Sequence, residues 1–67
     1  MNDGLIAVLL IEDNPGDARL VREMLAEAST VQFKLAHVGR LSDGQTLLVR
    51  QKFDVILLDL SLPDGWT

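Results

Sequence analysis

The sequence predicts an α/β domain in the order β-α-β-α-β, with three parallel strands and two helices. Two short apolar segments, Val8–Ile11 and Val55–Leu58, both run directly into acidic residues. Uninterrupted runs of Leu, Ile and Val of this length are typical of strands buried on both faces of a parallel sheet. Two stretches with helical periodicity and one alternating segment lie between them. If the first strand is central, the strand order is 2-1-3 and the helices cover opposite faces.

The first strand is predicted over Leu5–Ile11, and a helix of about four turns follows it. Asn14 is placed to cap this helix, with Pro15 at its first position and Asp17 in its first turn. Apolar residues then recur at helical spacing, which gives the helix one face to bury against a sheet. These residues are Ala18, Val21, Met24, Leu25 and Ala28.

A second strand is predicted over Val31–Val38, where polar and apolar residues alternate as in an edge strand with one wet face. Ser42 and Gln45 have the spacing of a capping box, which predicts the start of a second helix. Gly44, a poor helix former, lies in its first turn. The third strand ends at Asp59. It is the most hydrophobic segment of the chain and would form an uncovered edge of the sheet.

Length and charge restrict the classes of function. The chain has 67 residues, six basic and ten acidic residues, no cysteine and a formal net charge of −4. Such a chain forms at most one small domain, without disulfide support. The negative balance argues against nucleic-acid binding through this segment. The apolar stretch Leu5–Ile11 is too short to span a membrane and lacks the basic flank of a signal peptide, so a cytoplasmic protein is expected.

Three carboxylates are expected to meet at one edge of the predicted sheet. Glu12 and Asp13 follow the first strand, and Asp59 follows the third. Parallel neighbours end at the same edge, where open α/β sheets place their ligand sites. Asp13 or Asp59 taken alone is more simply explained as the first residue of a turn. As a set they would repel one another unless a cation offset their charge, so a hard divalent cation is the expected occupant.

Two motifs stand in a defined order along the chain. An acidic pair precedes an Asn-Pro helix start at Glu12–Pro15, and an Asp-Leu-Ser-Leu-Pro loop lies at Asp59–Pro63. Together with the strands before them, these motifs resemble the receiver domain of bacterial two-component response regulators, which has a flavodoxin-like fold. The resemblance covers essentially all of residues 1–67 and implies the amino-terminal half of such a domain.

The resemblance implies a role for each acid. Asp59 corresponds to the phosphoacceptor, which takes a phosphoryl group from a histidine kinase or a histidine phosphotransfer protein and also ligates Mg²⁺. Asp13 corresponds to the acid that binds Mg²⁺ directly, and Glu12 to its partner, which acts through water. The backbone carbonyl of Ser61 corresponds to the main-chain ligand. A domain of this kind is a signalling phosphoacceptor rather than an enzyme that acts on other substrates.

The chain departs from the family in its length, and other functions stay open. Receiver domains have two further strands that supply a Ser or Thr and a Lys to the phosphoryl group, and neither Lys34 nor Lys52 corresponds to that Lys. The alternative is a half-domain that does not accept phosphate and forms a homodimer, or binds another protein, through its third strand. A nucleotide-binding enzyme is disfavoured because Glu12–Asp17 lacks a phosphate-binding glycine pattern. The only histidine, His37, is expected to be an ordinary surface or edge residue.

Overall fold

A computed structural model describes residues 5–28 and 30–59 of the chain. Its elements are β1 (Leu5–Ile11), α1 (Pro15–Ala26), β2 (Gln32–Val38), α2 (Leu41–Arg50) and β3 (Val55–Leu58). The three strands form one parallel sheet in the order β2-β1-β3, which confirms the predicted α/β class and strand order. The helices of this part of the chain have 12 and 10 residues, and neither is long and apolar enough to cross a membrane.

The central strand β1 sets the register of both its neighbours. Ile11 pairs with Val38 on one side and with Leu58 on the other. The three strands therefore end at one level, and the residues that follow them share one edge of the sheet. Asp54 closes the other end of the β1–β3 pair. Its N–H donates to the carbonyl oxygen of Ala7 at 2.8 Å, and its carboxylate accepts a hydrogen bond from the Ala7 N–H at 2.8 Å.

The core lies on both faces of β1. Leu9 and Ile11 are fully buried, and Leu41 of α2 packs against them. Val8 and Leu10 are buried as well, and they point to the opposite face because successive side chains of a strand alternate. Right-handed crossovers from a central strand place α1 and α2 on opposite faces of the sheet. Each helix thus covers one half of the β1 side chains.

The helix α1 begins as predicted. Asn14 is its N-cap, and the side-chain oxygen Oδ1 accepts hydrogen bonds from the N–H groups of Gly16 at 2.8 Å and Asp17 at 3.1 Å. The helix ends at Ala26, somewhat short of the predicted four turns. On its predicted apolar face Ala18 is buried, whereas Met24 is 62% exposed because the three-stranded sheet covers only part of that face.

The helix α2 begins two residues earlier than the capping box predicts. Its N-cap is Arg40, whose side chain makes no capping hydrogen bond. The prediction that Ser42 caps the helix together with Gln45 is therefore wrong. Ser42 lies inside the first turn, and its carbonyl accepts a hydrogen bond from the Thr46 hydroxyl at 3.1 Å. The first helical residue, Leu41, is partly buried against the core, so this start of the helix brings an apolar side chain onto the sheet.

The strand β3 is the uncovered edge that its hydrophobicity predicts. It pairs with β1 on one side only. All four of its residues are large and apolar, and each is between 36% and 48% exposed. An edge strand of this kind presents unpaired main-chain groups to any strand that can lie beside it. Within the described residues, nothing covers this edge.

Candidate metal centre

Three acidic side chains meet at the edge where the strands end. Glu12 and Asp13 follow β1, and Asp59 follows β3. One carboxylate oxygen from each of the three residues lies within 4.8 Å of the other two. The structure therefore brings together three of the four residues predicted as metal ligands. The fourth, Ser61, lies outside the described residues.

Main-chain hydrogen bonds between neighbouring strands fix the main chain of two of these acids. The N–H of Asp59 donates to the carbonyl oxygen of Ile11 at 3.0 Å, which extends the β1–β3 pairing by one residue. On the other side, the N–H of Glu12 donates to the carbonyl oxygen of Val38 at 3.0 Å. Neighbouring strands lie about 4.8 Å apart in a sheet. The strand pairing therefore places the main chains that carry these acids next to each other.

His37 also contacts the acidic turn. Its Nε2 atom lies 2.8 Å from the carbonyl oxygen of Glu12, although the side chain is exposed. A carbonyl oxygen only accepts hydrogen bonds, so this ring nitrogen carries the hydrogen and donates. The sequence placed His37 near the end of a strand but did not indicate this hydrogen bond. The only signal in the sequence was its position near the end of a strand. In the sheet His37 pairs with Leu10, two residues before Glu12.

Neighbouring groups shift the pKa of the Glu12 carboxyl group in opposite directions. The Asn14 N–H donates to its Oε2 atom at 3.1 Å, and this hydrogen bond lowers the pKa of Glu12. Partial burial, a hydrogen bond with the Asp59 side chain and the charges of Asp59 and Asp17 together outweigh it. The pKa of Glu12 therefore lies above its ordinary value of 4.5. The charge of Asp59 makes full ionisation of the cluster unfavourable, and a bound cation would relieve that repulsion.

The donor set suits a hard divalent cation. Mg²⁺ prefers six oxygen ligands at about 2.1 Å, so neighbouring ligand oxygens lie about 3 Å apart and opposite ones about 4.2 Å apart. The three carboxylate oxygens lie within 4.8 Å of one another, an upper limit close to the separation of opposite ligands. A zinc site would draw on Cys and His ligands, and the chain has no cysteine. The three residues therefore offer a carboxylate donor set of the kind that hard divalent cations take.

Comparisons with known proteins do not assign this chain to a family. The resemblance to receiver domains therefore stays a prediction from two sequence motifs. No protein-family model, no curated protein and no solved structure matches this chain.

Proposed function

We propose that the chain is the amino-terminal half of a receiver domain and that Asp59 accepts a phosphoryl group in a signalling phosphorelay. The observation that carries this proposal is the meeting of Glu12, Asp13 and Asp59 at the carboxyl edge of a parallel sheet. Phosphoryl transfer depends on a positioned nucleophile and on positive charge beside the phosphoryl oxygens. A cation held by these carboxylates meets both needs. A cytoplasmic location in a bacterial two-component system belongs to the same proposal.

In this mechanism Asp59 is the nucleophile. One of its carboxylate oxygens attacks the phosphorus of a phosphohistidine in line. The oxygen–phosphorus bond forms as the phosphorus–nitrogen bond breaks, and the imidazole nitrogen that keeps the electron pair takes a proton from the solvent. The product is an acyl phosphate on Asp59. The donor is a histidine kinase or a histidine phosphotransfer protein.

The other two acids hold the cation and are not consumed. Glu12 and Asp13 would bind Mg²⁺ together with Asp59, Glu12 through a water molecule. The bound ion would supply positive charge to the phosphoryl oxygens. Without that charge, an anionic donor would approach three carboxylates and be repelled. Phosphorylation is therefore expected to require the divalent ion.

A phosphorylation assay on the full chain tests this proposal. The chain is incubated with a small acyl phosphate donor and Mg²⁺, and its intact mass is measured. We expect one phosphoryl group per chain, released by hydroxylamine and absent when the ion is chelated. Asp59→Asn should abolish the incorporation. Asp54→Asn is the matched control, because Asp54 adjoins the same strand, lies outside the acidic cluster and should leave incorporation unchanged.

Equal incorporation into the parent chain and Asp59→Asn would refute the assignment of the phosphoacceptor. Failure of the parent chain to take up phosphate, with Mg²⁺ bound, would refute phosphotransfer by this half-domain and favour the second function below.

Self-association through β3 is the second candidate function. Among the described strands, β3 alone combines a free edge with apolar residues exposed on both faces. A second copy of the chain offers the same pattern, and a twofold axis could pair two β3 strands antiparallel in a six-stranded sheet. Pairing centred between Ile56 and Leu57 would set Asp54 opposite the Asp59 of the second copy. Like charges placed opposite each other weaken such a pair, so salt or Mg²⁺ should strengthen it.

Sedimentation of the full chain over a range of concentrations tests the second candidate. A dimer that Mg²⁺ strengthens and that Ile56→Lys abolishes would support it, because a charge on the edge strand prevents pairing. A monomer at every concentration would exclude it.

A further inference from the structure

The carbonyl oxygen of Glu12 accepts a hydrogen bond from a side chain, whereas regular strand pairing would provide a main-chain N–H. In a parallel pair, a residue whose N–H donates to one residue accepts at its own carbonyl from the residue two places further along. The N–H of Glu12 donates to Val38, so the next partner in the ladder would be the N–H of Arg40. The strand β2 ends at Val38 and the chain turns into α2 at Arg40, and among the described residues no main-chain N–H donates to the Glu12 carbonyl. The Nε2 atom of His37 lies 2.8 Å from the Glu12 carbonyl oxygen instead.

We infer that His37 is a positioning residue that orients the Glu12–Asp13 turn for cation binding. This inference rests on the proposed Mg²⁺ site. The carbonyl that His37 binds belongs to the planar peptide group between Glu12 and Asp13. A hydrogen bond to this group fixes the direction in which both acidic side chains leave the main chain. In this role His37 is not itself a ligand and acts through this peptide group.

The arrangement holds the acidic turn at three points. The Glu12 N–H donates to the carbonyl oxygen of Val38 in β2, and the Glu12 carbonyl oxygen accepts from His37. The Glu12 carboxylate accepts from the N–H of Asn14. Loss of the His37 contact leaves the first and third points and frees the peptide between the two ligands to rotate. The expected consequence is weaker cation binding by a chain that is still folded.

Mg²⁺ titration calorimetry on the full chain tests the inference. His37→Leu removes the donor, whereas His37→Gln keeps an N–H at a similar distance from the main chain. A single hydrogen bond at an exposed site corresponds to about three- to tenfold in affinity. We therefore expect His37→Leu to weaken Mg²⁺ binding by that factor and His37→Gln to restore it to within about twofold. Thr46→Val is the matched control, because it removes another side-chain hydrogen bond to a carbonyl, that of Ser42 in α2.

A second readout separates positioning from general stability. The amide proton of Asn14 reports the turn directly, because it donates to the Glu12 carboxylate. Its hydrogen exchange, measured by NMR without metal, should be faster in His37→Leu and unchanged in Thr46→Val. If His37→Leu does not fold by circular dichroism, His37→Asn replaces it, because its shorter amide does not reach the Glu12 carbonyl.

The outcomes distinguish this inference from the proposed function. Mg²⁺ binding by the parent chain with equal affinity in every His37 variant would overturn the inference and leave the proposed function standing. Absence of Mg²⁺ binding by the parent chain would overturn both. Equal weakening in His37→Leu and Thr46→Val would mean that affinity follows stability, which also overturns the inference.

Discussion

Gly44 of α2 lies directly against Ile11 of β1. A Cβ atom at position 44 would overlap the Cδ1 atom of Ile11 and lie 3.0 Å from its Cγ1 atom. Ile11 is 1% exposed, so its side chain has little free space into which to move. The missing side chain of Gly44 thus lets the helix approach the strand that leads into the acidic turn at Glu12.

The close approach predicts the effect of Gly44→Ala. Alanine is the better helix former by about 1 kcal/mol, but overpacking a core contact costs about 1–3 kcal/mol. We expect the free energy of unfolding, measured with urea, to fall by about 1 kcal/mol. In an Ile11→Val background the Cδ1 atom is gone and only the 3.0 Å contact with Cγ1 remains, so the same substitution should cost less. Equal losses in both backgrounds would mean that the two residues are not in contact.

A second prediction concerns Asp54 and Ala7, which exchange two hydrogen bonds at the start of the β1–β3 pair. Asp54→Ala removes the side-chain acceptor and leaves the Ala7 N–H without it. We expect a loss of about 1 kcal/mol in the free energy of unfolding. Asp54→Asn keeps an acceptor oxygen and should retain most of the stability. If the two variants unfold at the same urea concentration, the side-chain hydrogen bond contributes nothing.

A third prediction follows from the raised pKa of Glu12. In the metal-free chain, the folded state holds the Glu12 proton more tightly than the unfolded state does. The stabilisation linked to this proton is complete below the ordinary value of 4.5 and is lost as the pH rises through the raised pKa. Glu12→Gln should flatten this part of the urea-unfolding profile. A profile with the same slope in Glu12→Gln would show that other groups cause the dependence.

Binding of the cation should depend on pH in the opposite sense. A proton on Glu12 competes with Mg²⁺, so affinity should rise as the pH rises through the raised pKa of Glu12. Calorimetric titrations at several pH values would measure this change. An affinity that does not change over this pH range would show that Glu12 takes no part in binding the cation.

Most of the fold could be predicted because its signals are local. The apolar run Leu5–Ile11 forms β1 with the predicted bounds, and Asn14 caps α1 as its side chain predicts. Acidic residues at the ends of parallel strands also predicted the cluster. The features that escaped prediction depend on contacts across the fold. Ser42 is not the cap because the helix already begins at the residue before it, which packs against the core, and His37 binds a residue 25 positions away along the chain.

The most direct test of the central claim is a calorimetric Mg²⁺ titration of the parent chain beside Asp13→Asn and Asp54→Asn. Three converging carboxylates predict one saturable site, which Asp13→Asn should weaken roughly tenfold or more because a ligand charge is lost. Asp54→Asn, outside the cluster, should bind as the parent chain does. Absence of a saturable site in the folded parent chain, or equal weakening by both substitutions, would contradict the claim that Glu12, Asp13 and Asp59 form a cation site.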